Sequence, residues 1–278
     1  MLVWVGGLRS TGDSLRQRLG VGQPRPPGKL RTMSDSLDLT GRIALVTGAS
    51  GGIGSAICRR LAGNVAGIAV AYGSNAQPAK ALAAEIVSGG GTALVFGSDM
   101  AAPDAPELLI DDVEAALGPV DILVANHGLA HQARYEDVDA ATFDRTLAVN
   151  LRAPFLLARR TLPGMRERGF GRVLFISSVA AFRGGVIGPD YASSKAGLHG
   201  LAHFLAARVA ADGVTVNVLA PGFIETAMLP GDPQQLAQTT PVGRVGRPEE
   251  VADLALAILR NGYVTSQVFS IDGGMYPR

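Results

Sequence analysis

The chain has one cysteine, Cys58, in 278 residues, so no disulfide can form within it. A lone cysteine fits a reducing compartment, and the cytoplasm is the expected location. Its helical periodicity places Cys58 in a buried helix as a packing residue. No apolar run reaches the roughly 18 residues that a membrane helix needs. Strong net charge is also lacking: the formal total is +1, which offers nothing to nucleic acid. Glycine is abundant, at 36 residues, but follows no period, which excludes a collagen-like chain. What is plentiful is apolar surface: 47% of residues are hydrophobic, with a mean hydropathy of +0.23. Parallel strands buried on both faces read as continuous apolar runs and account for that excess. The length suits one large α/β domain.

Charge is unevenly placed. Residues 1–33 carry Arg9, Arg16, Arg18, Arg25, Lys29 and Arg31 against Asp13 alone. The segment is rich in Arg, Gly and Pro, shows no sustained period, and lacks the charged leader and apolar core of a secretory signal. A mitochondrial presequence, a disordered arm, and a gene-calling artefact with Met33 as the true start all stand as readings. The arm or artefact fits better. Residues 1–38 are therefore expected to be a disordered extension, and residues 39–278 the folded domain.

From Thr40 onward short apolar runs alternate with helical patterns. Strands are expected at 43–47, 67–72, 93–96, 121–125, 172–177, 214–219 and 268–271. Helices are expected at 54–62, 76–87, 105–117, 141–168, 191–210 and 248–259, the long one bent at Pro154 and Pro163. Strict alternation predicts a single α/β domain with a doubly wound parallel β-sheet, a Rossmann fold. Ligands of such sheets bind beyond the carboxyl ends of the strands, where the strand order reverses.

At that edge the first strand runs into Thr47-Gly48-Ala49-Ser50-Gly51-Gly52-Ile53-Gly54. Glycines at 48, 52 and 54 allow a tight turn and close approach of a pyrophosphate to a helix N-terminus. The spacing is not the commoner G-x-G-x-x-G, and a tight turn without ligand is the competing reading. After the second strand, Tyr72-Gly73-Ser74-Asn75 has no acid to bond a ribose 2′-hydroxyl, which favours NADPH over NADH. No Arg or Lys there supplies a phosphate clamp.

Tyr191 and Lys195 stand four apart on one helix face, and Ser178 follows the fifth strand, so all three can meet at the carboxyl edge. Carbonyl reduction needs a hydride donor and an acid for the oxygen. A phenol near pKa 10 would need a neighbouring ammonium and an oxidised nicotinamide ring to favour its phenolate. Ser178 would hold the substrate oxygen, and Asn150 would order a water linking Lys195 to solvent. Taken singly these residues are ordinary: Tyr and Lys at this spacing are common on exposed helices.

Together, in order along residues 40–277, these residues resemble the short-chain dehydrogenase/reductase family. The matches are the turn at 47–54, Asp99, Ala125-Asn126-His127-Gly128, Asn150, Ser178, Tyr191 with Lys195, Pro221-Gly222-Phe223-Ile224-Glu225-Thr226 and Asp272-Gly273-Gly274. The resemblance implies a catalytic set of Ser178, Tyr191, Lys195 and Asn150. It implies a cofactor-binding turn of Gly48, Ser50, Gly51, Gly52, Ile53 and Gly54. Asp99 and Met100 would lie at the adenine, and Asn126 and Gly128 along the adenosine. Pro221, Gly222, Ile224 and Thr226 would hold the nicotinamide and phosphates, with Tyr191 and Lys195 also touching the cofactor. The nearest-looking members are 3-oxoacyl-acyl-carrier-protein reductases, which implies a small ketone or acyl-thioester substrate and a homotetramer or homodimer.

Three departures stand out. Ala125 and His127 replace the first Asn and the Ala of the family's N-N-A-G, tolerable changes at a cofactor wall. The lid segment 229–242 is short and carries Pro230, Pro233 and Pro241. Asp212-Gly213 follows the catalytic helix where a basic residue is common. The last two count against acyl-carrier-protein as a partner. The pairs His127/His131 and His199/His203 lack a third ligand, so no metal is expected. Arg159, Arg160, Arg166, Arg168 and Arg172 read as a solvated helix face more than a site for an acidic carrier. The leading function is an NAD(P)H-dependent oxidoreductase interconverting a ketone and a secondary alcohol. The alternatives are a non-catalytic NAD(P)-binding scaffold and an epimerase or dehydratase, the last disfavoured by the short chain.

Overall fold

Seven apolar segments form one parallel sheet in the computed structural model, which describes residues 38–276. They are β1 (Ile43–Thr47), β2 (Gly67–Tyr72), β3 (Ala93–Gly97), β4 (Val120–Ala125), β5 (Gly171–Ile176), β6 (Val214–Pro221) and β7 (Val268–Ile271). The order is β3-β2-β1-β4-β5-β6-β7, and every pairing is parallel. Strand order reverses between β1 and β4, which opens the crevice that holds the site.

Alternation within β1 shows why the runs are continuously apolar. Ala44 and Val46 enter one core layer, while Ile43 and Leu45 enter the other. The first layer is closed by α1 (Gly52–Leu61), α2 (Ala76–Ser88) and α9 (Pro248–Arg260). The second is closed by α3 (Ala105–Leu117), α5 (Ala153–Glu167) and α7 (Pro189–Val209). Both faces are thus covered, as a wholly parallel sheet requires. Cys58 on α1 is fully buried, and burial pushes its thiol up to about 12. The extension expected over residues 1–38 lies, except for Asp38, outside the described residues.

The long helical stretch breaks differently from the expected bends. α4 (Ala140–Leu147) is followed by a π turn at Ala148–Arg152, and α5 begins at Ala153. The Ala153 N–H reaches back five residues to the Ala148 carbonyl. Pro154 falls in the first turn of α5 and Pro163 within it. Pro154 has no N–H for the carbonyl of Asn150, four residues earlier, so the wider turn replaces a regular one around Asn150.

Two short helices were not legible in the sequence: α6 (Ala180–Arg183) and α8 (Pro233–Gln238), which occupies the segment expected to be a lid. The basic stretch is also more structured than a solvated face. Arg159 pairs with Glu107, Arg160 with Asp111, Arg166 with Asp212 and Arg168 with Asp121. Arg172 is buried and donates to the Leu259 carbonyl. No helix among the described residues is long and apolar enough to cross a membrane.

Candidate active site

The turn after β1 is packed too closely for any residue but glycine at its key positions. Gly48 has φ +62°, and a Cβ there would lie 2.8 Å from His127 Cα. A Cβ on Gly54 would run into the Gly48 carbonyl, and one on Gly52 would meet Thr226 Cγ2 at 2.6 Å. Asn126, at the end of β4, locks the turn by donating to the carbonyls of Thr47 and Gly48 at 3.2 and 3.1 Å. The N-cap of α1, Gly51, has no side-chain hydrogen bond. Its first N–H groups therefore remain available beside Ser50, Gly51 and Gly52 in the crevice. A pyrophosphate fits such a cradle.

The crevice is a cleft of about 530 Å³. Gly48, Ser50, Gly51, Gly52, Ile53, Asn126, Gly128, Pro221, Gly222, Ile224 and Thr226 all line it, together with Ser178, Tyr191 and Lys195. Gly54 lies just behind, its place taken up by backbone contact. Asp99 and Met100 are not among the lining residues. Asp99 accepts from the Ala101 N–H at 3.0 Å, and Met100 is buried.

Tyr191 and Lys195 come from the first turns of α7, and Ser178 from the end of β5. Tyr191 is hydrogen-bonded to Ser178, which lowers its pKa, but burial outweighs this and holds the phenol above its ordinary value. The expected lowering by Lys195 is not reproduced by the chain alone. The ammonium donates to the Ile176 carbonyl at 2.9 Å and lies 5.8 Å from the Tyr191 ring centroid. Burial brings Lys195 down to about 8. The chain's own groups thus favour a protonated phenol, the form an acid needs.

Asn150 is placed by direct hydrogen bonds to the loop after β4 and to α7. It is fully buried in the π turn. Its Nδ2 donates to the Leu129 carbonyl and to Ser194 Oγ, at 2.9 and 3.1 Å, and its Oδ1 accepts from the Leu129 N–H at 2.8 Å. With both amide hydrogens engaged, the side chain clamps the loop after β4 to α7. A Cβ on Gly128 would come within 3.3 Å of both Asn150 Oδ1 and Lys195 Nζ, so this loop position is kept bare between them.

His127 is the residue whose importance sequence reasoning missed. It is buried, with Nδ1 2.6 Å from Thr47 Oγ1 and Nε2 3.0 Å from the Val149 carbonyl. A carbonyl only accepts, so Nε2 carries the proton and Nδ1 accepts from the Thr47 hydroxyl. Thr47 Oγ1 in turn accepts from the Asn126 N–H at 3.1 Å. Burial, and then the charge of Lys195, lower His127 to about 3, so the ring is neutral. The departure at 127 was visible in the sequence, but not that the ring would bridge β1 to the π turn. Elsewhere, Ser177 bonds His199, His203 bonds Ser266, and Thr146 donates to the buried Asp190 beside Tyr191.

Fold and cleft define a nicotinamide-dependent oxidoreductase acting on CH–OH or C=O groups. Residues 42–237 match the family model for short chain dehydrogenases, and the chain belongs to that family. Nodulation protein G of Azospirillum brasilense is 38% identical over 84% of this chain and 98% of its own length. An acetoacetyl-CoA reductase of Cupriavidus necator is 35% identical over 86% of this chain and 99% of its own. Among solved structures, a 3-oxoacyl (acyl-carrier-protein) reductase from Agrobacterium tumefaciens C58 with NADP bound superposes with a TM-score of 0.81. It is 33% identical and covers 88% of this chain and 98% of that one.

Proposed function

We propose that this protein is an NADPH-dependent reductase of 3-oxoacyl thioesters or small ketones, with Tyr191 as its acid. The observation that carries the reading is the group of buried Tyr191 and Lys195 with half-buried Ser178, facing the same cleft as an uncapped, glycine-lined helix N-terminus. NADPH, when bound, supplies hydride to the carbonyl carbon. The Ser178 hydroxyl donates to the carbonyl oxygen and orients it. Tyr191 passes its phenolic proton to that oxygen, completing the secondary alcohol. Lys195 remains cationic at neutral pH and favours the phenolate left behind. His127 and Asn150 hold the cleft wall and α7 in register.

Support for the substrate class comes from the acetoacetyl-CoA and 3-oxoacyl reductases among the relatives. The acid-free end of β2 supports NADPH, and Asp99 and Met100 are assigned to its adenine end. Exposed Phe155 on α5 and Phe204 on α7 suit a homodimer or homotetramer paired through the long helices. Asp212, tied to Arg166, offers an acidic carrier protein no attraction. The buried thiol of Cys58 suits a cytoplasmic setting. We assign the folded domain to residues 39–278.

The test is consumption of reduced nicotinamide with acetoacetyl-CoA and small ketones, for wild type and Tyr191→Phe. Turnover should fall by about 10³-fold in the variant while NADPH binding stays unchanged. Equal turnover in the variant would remove Tyr191 from the mechanism. NADPH binding without turnover of any ketone would favour the scaffold reading.

A further inference from the structure

Among the described residues, the cleft is lined by two basic side chains, Lys195 and Arg183, and by no Asp or Glu. Lys195 is buried deep and already bonded to the Ile176 carbonyl. Arg183 is different: it is exposed at the mouth, at the last position of α6. Its guanidinium carbon lies 4.7 Å from the centroid of the Tyr276 ring, and it has no carboxylate or carbonyl partner among the described residues. By contrast, Arg159, Arg166, Arg168 and Arg244 are each paired with an acid.

The backbone turn that carries Arg183 is tied to Ser178. Ala180 N–H donates to Ser178 Oγ at 3.1 Å, Ala181 N–H to the Ser178 carbonyl at 3.0 Å, and Gly184 N–H closes the turn on the Ala180 carbonyl at 2.8 Å. The aromatic side is held too, since Tyr276 N–H donates to Asp272 Oδ2 at 3.1 Å. The same cleft is also lined by apolar Val186, Ile187, Met228 and Leu229. A guanidinium stacked on a ring keeps its N–H fork free for a planar or tetrahedral anion.

We propose that Arg183, on its Tyr276 platform, is a substrate-binding residue that takes an anionic group carried by the ketone substrate. This rests on the reductase reading of the same cleft. A carboxylate of a short oxo acid and a phosphate of a coenzyme-type thioester share the required chemistry.

The experiment compares acetoacetate, acetoacetyl-CoA and neutral ethyl acetoacetate in wild type, Arg183→Met and Arg183→Lys. Arg183→Met should raise KM for the anionic substrate about tenfold or more, with kcat little changed. Arg183→Lys should restore part of the loss, and ethyl acetoacetate should be handled alike by all three proteins. An effect confined to acetoacetate identifies a carboxylate, and one confined to the thioester a phosphate. Equal losses for charged and neutral substrates would overturn the proposal. If wild type reduces none of the three, the reductase reading fails first, and calorimetric titration with acetoacetate and CoA decides the anion site. Binding lost in Arg183→Met supports it, and no binding or equal binding overturns it.

Discussion

The floor and the rim of the cleft are built on opposite terms. On the floor, Asn150, Ser194, Lys195 and His127 are buried and each holds at least one hydrogen bond to a different element. On the rim, Val186 and Met228 are both more than half exposed and sit on connecting segments. On the proposed reading, the floor carries what every reaction of this chemistry shares: a proton donor, a fixed charge and a cofactor cradle. On the same reading, the rim would distinguish one ketone from another, on segments that can vary without disturbing the sheet.

Substitutions should therefore divide sharply by region. The largest effect is expected for Gly54→Ala, whose Cβ would strike the Gly48 carbonyl and crowd Asn126 Nδ2. Overpacking against backbone at a cost of about 3 kcal/mol would weaken NADPH binding by about 100-fold, read by fluorescence titration. An unchanged affinity would mean that the turn gives way easily and the floor is softer than its contacts suggest.

His127→Ala comes next. It strands the Val149 carbonyl and the Thr47 hydroxyl and leaves a void, costing about 2–4 kcal/mol in denaturant unfolding. Its pH signature is specific. The folded state holds His127 at about 3 against an ordinary 6.5, so between those values the unfolded chain binds the extra proton. The stability of the neutral, buried ring is fully present above pH 6.5 and is lost as pH falls towards about 3. Wild type should lose stability over that window more steeply than His127→Ala, and parallel curves would refute the neutral-bridge assignment. The smallest effect is expected at Val186→Ser on the rim. Stability should move by no more than about 0.5 kcal/mol, while KM for longer acyl substrates rises. A larger loss of stability would make the rim part of the core.

The same division governs what could be read from the sequence. The strands were legible because burial on both faces leaves long apolar runs, and β1, β2 and β7 fall where those runs do. Tyr191, Lys195 and Ser178 were legible because their spacing ties them to one helix and one strand end. His127 and Asn150 were only half legible: each was noticed, but their partners lie about 80 and 21 residues away, at Thr47 and Leu129. A long-range hydrogen bond leaves no local period. The π turn escaped for another reason: proline marks a disturbance, but here the helix widens just before Pro154 instead of bending at it. The short helices α6 and α8 have too few residues to show a repeat.

The lock between the glycine turn and Asn126 spans 79 and 78 residues of chain. β1 pairs with β2 early in the sequence, but its other neighbour is β4. During synthesis, then, the nucleotide cradle has no second wall until β4 has emerged and docked. A nascent chain ending before residue 126 carries the whole glycine turn, with the Ala49 N–H bonded to the Ala71 carbonyl, but lacks the Asn126 lock. The complete cradle is thus a product of long-range docking between the two halves of the sheet, assembled only once β4 has joined β1.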